Sequence, residues 1–423
     1  MKFIHMRRFF FFFFLLYGTA VFAQLNEKYV RKVLSELSSD AYMGRASGTP
    51  YADKAAAFIA AGFKKAGLQP MQGEKVFLQR FEMIRSRTVS VNVTVDGQQV
   101  PASDVLVLAG QPELDWTTGA VEPMWMEKGS PIGQRVFAMS SEKGDKLIFA
   151  DTSNRRQLAR LKNFSMQRFG GGGSIVVVLT TGKPSAYRVK ASSELKATGF
   201  QNVVGMIPGK RSEEYVIFSG HYDHIGTGKP VEGDSIYNGA NDDASGITAV
   251  MALAGHFARM KQQPERTILF VAFTAEETGG YGSTWFSRQL APDKVVAMFN
   301  IEMIGTESKW GRNSAYITGF ERSDFGKILQ DNLQGTGFQF HPDPYPQQNL
   351  FFRSDNATLA RLGVPAHTIS TSKMDSEPFY HTVNDEIETL DIANMTAIIR
   401  AIALSSQWIT SGKSTPSRVS LSR

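Results

Sequence analysis

The sequence predicts an α/β fold: a mixed, mostly parallel central sheet flanked by helices, with a smaller inserted region. In the second half of the chain, short apolar runs alternate with long helical spacers, as parallel strands joined by helices do. The chain of 423 residues is also long enough for one large domain with an insertion. The apolar runs after residue 199 are NVVGMIP, EYVIFSG, TILFVAF and VVAMFNIEM.

The first part of the predicted main domain, residues 24–98, combines a helical pattern with a strand pattern. In YADKAAAFIAAGFKKAGLQP the apolar residues recur at helical spacing, and Gly67 and Pro70 end the helix. TVSVNVTVDGQQV alternates valine with polar residues and turns at Asp96-Gly97, which predicts a strand and a hairpin. The apolar helical face consists of Ala55, Phe58, Ile59, Gly62, Phe63 and Ala66.

The inserted region is predicted over residues 99–198, where polar, glycine-rich loops separate apolar segments. The main domain resumes at 199 and continues to 412, with ASGITAVMALAGHFARM as one of its helices. The polar, serine-rich end at 413–423 predicts a disordered tail. Strands within the insert are predicted at 104–109, 146–150 and 174–179.

Residues 1–23 have the layout of a secretory signal peptide. Basic residues precede a phenylalanine-rich apolar core, and Val21-Phe22-Ala23 offers a cleavage point before Gln24. The core is short for a membrane span, so an uncleaved anchor is the less favoured alternative. The sequence contains no Cys, which excludes disulfides and thiolate metal ligands. Export without disulfides predicts a bacterial protein that is periplasmic or secreted.

The charge balance argues against a nucleic-acid partner. The leader contains three of the 46 basic residues and no acid, so its removal lowers the net charge from +6 to +3. A nearly neutral surface does not attract a polyanion strongly. Nothing in the sequence predicts an oligomeric state. Because the chain has no Cys, any metal must be bound by His, Asp and Glu.

Metal-type ligands follow the predicted strands with unusual regularity. The carboxyl ends of parallel strands meet at one edge of a sheet, so these residues are expected to converge there. Imidazole and carboxylate donors of this kind suit zinc. The residues, in chain order, are His221 and Asp223, Asp242 and Asp243, Glu276 and Glu277, Glu302, and His381.

Each of these features has an ordinary structural interpretation when it stands alone. A histidine after a strand is usually a hydrogen-bonded structural residue, and a Glu-Glu pair at a helix start is usually surface charge. NDDASG is also a plausible helix N-cap. The combined order His, Asp, Glu-Glu, Glu, His is rare by chance, and it favours a metal site.

The motifs resemble the successive signatures of the M28 family of zinc metallopeptidases. They are GHYDHIG, NGANDDASG, AFTAEETGGYGS, FNIEMIG, RSDNATLARLGVPA and FYHTVNDEIETLD. The stretch SSDAYMGRASGTPYADKAAAFIAAGFKKAGLQP is similar to the family's N-terminal helix region. The resemblance covers residues 35–85 and 200–410. Over 99–198 it is faint, and implies at most a reduced protease-associated-type lid.

The resemblance implies a role for each matching position. Asp242 corresponds to a carboxylate shared by two zinc ions. Glu277 and His381 would complete the first site, and His221 and Glu302 the second. The family commonly has Asp where this chain has Glu302, which keeps the carboxylate donor but adds a methylene.

Three further positions receive supporting or catalytic roles from the same resemblance. Glu276 matches the general base that activates the attacking water at the ions. Asp223 matches an acid that orients His221. The peptide bond before Asp243 is often cis in this family.

Burial of the adjacent acids Glu276 and Glu277 is unfavourable in free energy, because two desolvated carboxylates repel each other. A divalent metal would keep Glu277 ionised as a ligand. Glu276 would then be free to take a proton from the attacking water and deliver it to the leaving amine. The pair is therefore explained if Glu277 binds metal and Glu276 transfers protons.

Several nearby residues are not assigned to catalysis or metal binding. His224 is expected to form a hydrogen-bonded wall of the cleft, and His256 and His367 are expected to be structural. Tyr380 is equally compatible with donating to an oxyanion and with a buried aromatic role. Ser354 and Asp355 are expected to contact substrate or to support the ligands.

The predicted function is that of a zinc-dependent exopeptidase with two zinc ions and peptide substrates, acting as an aminopeptidase. The alternatives within the fold are a carboxypeptidase and a single-zinc glutaminyl cyclase. Retention of both His221 and Glu302 argues against the cyclase, because a one-metal site needs neither. The third alternative, a peptide-binding protein with an inactive site, conflicts with the presence of all five ligands and the base.

Overall fold

A computed structural model describes residues 25–140, 142–163 and 167–421. The predicted signal peptide, residues 1–23, lies outside the described residues. The chain forms two compact units: a main unit, Met1–Gln79 with Gln201–Arg423, and an inserted unit, Arg80–Phe200. The inserted unit therefore begins earlier than the predicted boundary at 99, because residues 83–85 and 93–95 pair with other strands of this unit.

The helices and strands have the following bounds. The helices are α1 (Glu27–Leu37), α2 (Pro50–Ala66), α3 (Ile132–Met139), α4 (Arg155–Asn163), α5 (Gly246–Phe257), α6 (Tyr281–Ser287), α7 (Phe325–Asp331), α8 (Asn356–Ala360), α9 (Ile392–Ser405) and α10 (Gln407–Thr410). The strands are β1 (Gln69–Pro70), β2 (Leu78–Val95), β3 (Gln98–Val100), β4 (Val105–Leu108), β5 (Glu113–Thr117), β6 (Pro123–Met126), β7 (Lys146–Asp151), β8 (Gln167–Phe169), β9 (Ile175–Thr180), β10 (Tyr187–Ile207), β11 (Arg211–His221), β12 (Gly226–Val231), β13 (Asp234–Tyr237), β14 (Arg266–Phe273), β15 (Val295–Ile301), β16 (Ser314–Ile317), β17 (Gln339–Pro342) and β18 (Ala366–Ser370).

The sheet of the main unit is mixed and mostly parallel, which confirms the predicted fold class. Its order is β17, β16, β18, β15, β11, β14 and the end of β10. Strand β11 runs parallel to both β14 and β15, and β15 runs parallel to β18. The pairings of β10 with β14 and of β16 with β18 are antiparallel. Strands β14 and β15 are buried along their whole length, as expected for a sheet covered on both faces.

Helices of the main unit cover the sheet through apolar faces. Helix α5 is buried at every position, so it is apolar all round rather than amphipathic. Helix α2 begins with Thr49, whose hydroxyl accepts the Ala52 N–H, and it ends at Gly67 in a left-handed conformation. Its buried residues include Ala55, Ile59 and Phe63, as the sequence pattern predicts. Phe218 at the centre of the sheet is fully buried, which stabilises the fold by about 2–3 kcal/mol.

The inserted unit has its own sheet and core. Strands β4, β9, β7 and β6 form a four-stranded sheet in that order. Strands β2 and β3 form the predicted hairpin, and Asp96 and Gly97 in its turn both have positive φ. Apolar residues of β4, β7 and β9 supply the cores on both faces of this sheet. Strands β4, β7 and β9 lie where the sequence predicts them.

The predicted disorder of the tail at 413–423 is wrong for the residues that the structure describes there, which end at 421. Val419 is buried, and its N–H donates to the Gly363 carbonyl at 3.0 Å. The Ser417 N–H donates to Asp324 Oδ1 at 2.6 Å, and the Arg266 guanidinium donates to the Ser414 carbonyl at 2.6 Å. A polar composition indicates disorder only where the backbone finds no partners, and here it finds several.

The described residues contain no helix that is both long enough and apolar enough to span a bilayer.

The buried His367 ring predicts a loss of stability in acid. Its Nδ1 lies 2.8 Å from the Thr318 carbonyl and its Nε2 lies 2.7 Å from Ser323 Oγ, a pairing that suits the neutral ring. Burial lowers the pKa of His367 to about 4. Between pH 6.5 and 4 the unfolded chain therefore binds a proton at His367 that the folded chain does not bind. As the pH is lowered through this range, the free energy of unfolding decreases.

The test compares the free energy of unfolding of wild type with that of His367→Gln, both measured by urea denaturation. The difference, wild type minus variant, should be about 2 kcal/mol smaller at pH 5 than at pH 7. The variant lacks the titrating ring, so all other acid effects cancel in this comparison. An unchanged difference between the two pH values would contradict the buried neutral ring.

Candidate metal centre

Three neighbouring parallel strands end at the edge of the main sheet where the predicted site residues begin. Strand β11 ends at His221, which lies opposite Phe273 at the end of β14. Glu276 and Glu277 follow β14, and Glu302 directly follows β15. The register of the strands therefore brings together side chains that are far apart in the sequence, as expected at the carboxyl edge of a parallel sheet.

The turn before α5 places Asp242 and Asp243 against these strand ends. The peptide bond between the two residues is cis. Asp243 binds the neighbouring backbone, because its Oδ2 accepts the His221 N–H at 3.1 Å and its Oδ1 accepts the Gly246 and Met303 N–H groups. Asp243 thus fixes the turn to β11 and β15, while Asp242 projects into the site.

Asp242 lies among the donor atoms of the predicted ligands. Its Oδ1 is 3.2 Å from His221 Nε2, and its Oδ2 is 3.2 Å from His381 Nε2. His381 Nε2 is in turn 3.1 Å from Glu277 Oε2. The donors form two groups that share Asp242, and the atoms of each group lie within 4.8 Å of one another. The groups are His224, Asp242, Glu277 and His381, and His221, Asp242 and Glu302.

The donor set fits divalent cations such as zinc. His221 Nε2, His381 Nε2 and Glu277 Oε1 are buried, yet none makes a hydrogen bond within the described residues. Buried polar atoms without partners are unusual, and here they face one another across short gaps. Ligand atoms about 2.0–2.1 Å from one zinc ion lie about 3.3 Å apart at tetrahedral angles, close to the separations between the donors.

The electrostatics of the site also favour positive charge at its centre. Burial alone would raise the pKa of Asp242, but His221 and His381 hold it well below its usual range. Burial alone would lower the pKa of His381, but Asp242 and Glu277 raise it to about 10. The carboxylates therefore attract a cation strongly, and bound metal would supply that charge without protons.

Glu276 lies beside the donor groups but belongs to neither. Its N–H donates to Asp223 Oδ1 at 3.1 Å, and the same carboxylate accepts from the Ser47 hydroxyl at 2.6 Å. Burial raises the pKa of Glu276 well above its ordinary value. The side chain lines a cavity of about 100 Å³ together with Asp242 and Glu277.

Asp223 supports the site differently from the prediction. The predicted role is to orient His221 through its carboxylate. The His221 Nδ1 lies 3.1 Å from the Asp223 backbone carbonyl and 3.9 Å from its Oδ1. The carbonyl is therefore the closer partner of the ring, and the carboxylate contacts Glu276 and Ser47 instead.

The unusual Glu302 reaches the site despite its extra methylene. Its N–H donates to the Ile369 carbonyl at 3.1 Å, which fixes the backbone beside β18. Its carboxylate belongs to the group that contains His221 and Asp242. Asn300, which the sequence analysis missed, donates from Nδ2 to Glu302 Oε2 at 3.5 Å and to Ser354 Oγ at 2.8 Å.

The remaining predicted site residues divide into two groups. Tyr380 is half-buried, stacks on His381 at 3.9 Å between ring centroids, and lines the cavity with Ser354. Asp355 is 1% exposed and does not line the cavity, so the structure gives no support for direct substrate contact. Burial raises the pKa of Asp355 to about 7.

Arg45, which no sequence motif indicates, lies beneath the site. Its fully buried guanidinium donates to four backbone carbonyls at 2.6–2.9 Å. These contacts connect the end of α1 to the chain beside the ligands. No signal in the sequence distinguishes this arginine from a surface arginine. The carbonyls belong to Leu37, Tyr222, Asn238 and Gly239.

Asp385 is a second supporting residue that the sequence analysis missed. Its carboxylate accepts the Asn241 N–H at 2.8 Å and the Asp242 N–H at 3.0 Å. Its carbonyl accepts the Ala240 N–H at 3.0 Å. Asp385 therefore holds the backbone that carries the shared ligand.

His224, which was expected to form a hydrogen-bonded wall of the cleft, has its Nδ1 2.7 Å from Glu277 Oε1. The side chain also belongs to the donor group of Asp242, Glu277 and His381.

Known proteins share parts of this sequence and most of this fold. The family model described as "Peptidase family M28" matches residues 202–405. A "Probable leucine aminopeptidase" of Trichophyton verrucosum is 28% identical over 202 residues, which cover 46% of this chain and 53% of that protein. A "Probable zinc metalloprotease" of Pyricularia oryzae is 38% identical over 111 residues, 25% of this chain and 21% of that protein. The chain thus spans about half the length of the first relative and less of the second.

Two solved structures have the same fold over nearly the whole chain. An aminopeptidase from Aneurinibacillus sp. strain AM-1 has a TM-score of 0.56 at 18% identity, covering 95% of this chain and 97% of its own. A zinc aminopeptidase from Bacillus subtilis has a TM-score of 0.57 at 18% identity, covering 94% and 98%. At this identity the likeness establishes the fold alone. The family match covers β11, α5, β14, β15 and every donor residue of the metal centre. The domain at residues 202–405 therefore belongs to peptidase family M28.

Proposed function

We propose that this protein is a zinc-dependent aminopeptidase that removes residues from the free N-terminus of peptides. The observation that carries the proposal is the pair of donor groups around Asp242 beside a cavity lined by Glu276. Membership of a peptidase family and the named activity of its relatives support the same conclusion.

In this proposal Asp242 would contribute to both ion sites. Glu277 and His381 would complete one site, and His221 and Glu302 would complete the other. When bound, zinc polarises a substrate carbonyl and lowers the pKa of coordinated water to about 7. Asp243 and Asp385 keep the Asp242 backbone in place through the hydrogen bonds described above, so the shared ligand is preorganised before substrate arrives.

Glu276 is the general base in the proposal. Its side chain reaches the cavity without belonging to a donor group, and its backbone is anchored to Asp223. It takes a proton from the attacking water and then delivers that proton to the leaving amine. Tyr380, which stacks on His381 at the cavity wall, is placed to stabilise the negative charge that develops on the carbonyl oxygen.

The lining of the cavity supports action on a chain end. The described lining residues include four carboxylates, which favour an amine over a neutral, acetylated end. Arg353 also lines the cavity and is exposed, so binding of a carboxylate end is the competing possibility that the experiment must address.

The proposal is tested with one short peptide in two forms, free and N-acetylated, followed by time-resolved mass spectrometry. The free peptide should lose residues singly from its N-terminus. Acetylation should lower kcat/KM by at least about tenfold, or 1.4 kcal/mol, because the amine no longer contacts the acidic cluster.

Other products would identify other enzymes. Equal cleavage of both peptide forms, or trimming from the carboxyl end, would indicate a carboxypeptidase or an endopeptidase and contradict the proposed class. Cyclisation of an N-terminal glutamine without hydrolysis would indicate the cyclase alternative. Export of the chain to the periplasm or medium remains part of the proposal and rests on the composition of residues 1–23.

A further inference from the structure

We infer that His224 is an additional metal ligand and that it makes the two ion sites unequal. The inference rests on the proposed function, because it concerns the ions which that function requires. With His224, the site of Glu277 and His381 has four protein donors. The other site has three, namely His221, Asp242 and Glu302.

The position of the ring is that of a ligand. His224 Nδ1 lies 2.7 Å from Glu277 Oε1 and 3.9 Å from Asp242 Oδ2. All donor atoms of this group lie within 4.8 Å of one another. The ring is 2% exposed, so solvent does not satisfy its nitrogens.

The ring pairs with a residue that is itself a donor of the group. His224 Nδ1 lies at hydrogen-bond distance from Glu277 Oε1, and this contact helps to keep the pKa of Glu277 below its usual range. A bound cation would compete for both atoms, since imidazole and carboxylate are both zinc ligands. His224 Nε2 has no hydrogen-bond partner within the described residues.

The surrounding backbone fixes the ring where the ligand role needs it. His224 forms an isolated parallel bridge with Ala46, and its N–H donates to the Arg45 carbonyl at 3.4 Å. Gly239 lies so close to the ring that an added Cβ would lie 2.5 Å from His224 Cγ and 2.3 Å from the Asp242 carbonyl oxygen. A side chain at 239 would therefore disturb the ring and the backbone of the shared ligand.

The extra donor gives the two sites different affinities for their ions. Zinc with four protein ligands is the pattern of a closed, tightly held site, whereas three protein ligands leave a position for water or substrate. The His224 side should therefore hold its ion more firmly. The His221 side should exchange its ion more readily and present the open position to the peptide.

The test measures bound zinc in the full-length protein after loading with excess zinc and dialysis against a weak chelator. Wild type should retain about one ion of two, and His224→Ala should retain almost none. The affinity of the tighter site should fall at least about 100-fold, since even a partner that only orients a ligand contributes about 10–100-fold. His341→Ala removes a histidine outside both donor groups and should behave as wild type.

Failure of the inference differs from failure of the proposed function. If wild type binds no zinc on loading, the proposed function is wrong. If wild type binds two ions and His224→Ala retains the tight one as wild type does, only the role of His224 is wrong.

Zinc X-ray absorption on the wild-type protein gives an answer even if the variant does not fold. With His224 as a ligand, three imidazoles serve two ions, or about one and a half per ion. Without it, two imidazoles serve two ions, or about one per ion. A value near one would overturn the inference.

Discussion

Replacing Glu276 with glutamine should lower kcat by about 10²–10⁴-fold while zinc content stays unchanged. The amide keeps the shape of the side chain and the backbone bond to Asp223, but it cannot accept a proton from water. Glu276 belongs to neither donor group, so the ligands are complete without it. Zinc content by elemental analysis and kcat on a peptide with a free N-terminus check the two parts of this expectation.

Glu277→Gln is the matched control, because it makes the same change at the next residue. Glu277 Oε2 lies 3.1 Å from His381 Nε2, within the first donor group. The neutral amide is a poorer ligand, so this variant should lose zinc as well as activity. If the two variants exchanged these properties, the assignment of base and ligand within the pair would be reversed.

Most of the metal centre could be predicted because its residues follow recognisable strands. An apolar run that stops at a histidine or a glutamate indicates both the strand and the edge at which the side chain lies. His221, Glu277 and Glu302 could be assigned in this way. His381 and Asp242 follow no strand, and they were connected with the others by the order of ligand types along the chain and by the resemblance of their motifs to a family.

Residues that support the site from a distance could not be predicted in the same way. Asp385 is one of several acids in NDEIETLD, and only the folded chain shows which of them turns back to bind Asp242. The role of His224 depends on which carboxylates its ring contacts in the folded chain, namely Glu277 and Asp242. Neither contact can be deduced from the order of residues along the chain.

The differences at the domain boundary and at the tail have a similar cause. The segment after Gln79 has a strand pattern that suits either unit, and only its pairing with Gln98–Val100 and Gln167–Phe169 assigns it to the insert. The tail is polar in composition, but its backbone bonds to Gly363 and Asp324 and Val419 fills an apolar site. Tertiary contacts determine both the boundary of the inserted unit and the order of the tail. Amino-acid composition indicates only local conformational preferences.

Asp242→Asn should remove both ions and reduce activity to the background rate. Asp242 is common to the two donor groups, with its Oδ1 near His221 and its Oδ2 near His381. Asparagine keeps the shape of the side chain but loses the negative charge and one of the two donor oxygens, so it cannot bridge two cations. Elemental analysis should give about two zinc ions in wild type and close to none in the variant.

His221→Ala provides the comparison that separates a shared ligand from a generally weakened site. This variant removes a donor from one group only, so it should lose about one ion and retain the other with Glu277 and His381. Loss of a single ion from Asp242→Asn would mean that the carboxylate serves one site and is not shared. A wild-type content of one ion, unchanged in His221→Ala, would exclude the two-ion enzyme and favour the single-zinc cyclase. The ratio of losses between the two variants therefore tests the bridge directly, whatever the absolute affinity of each site.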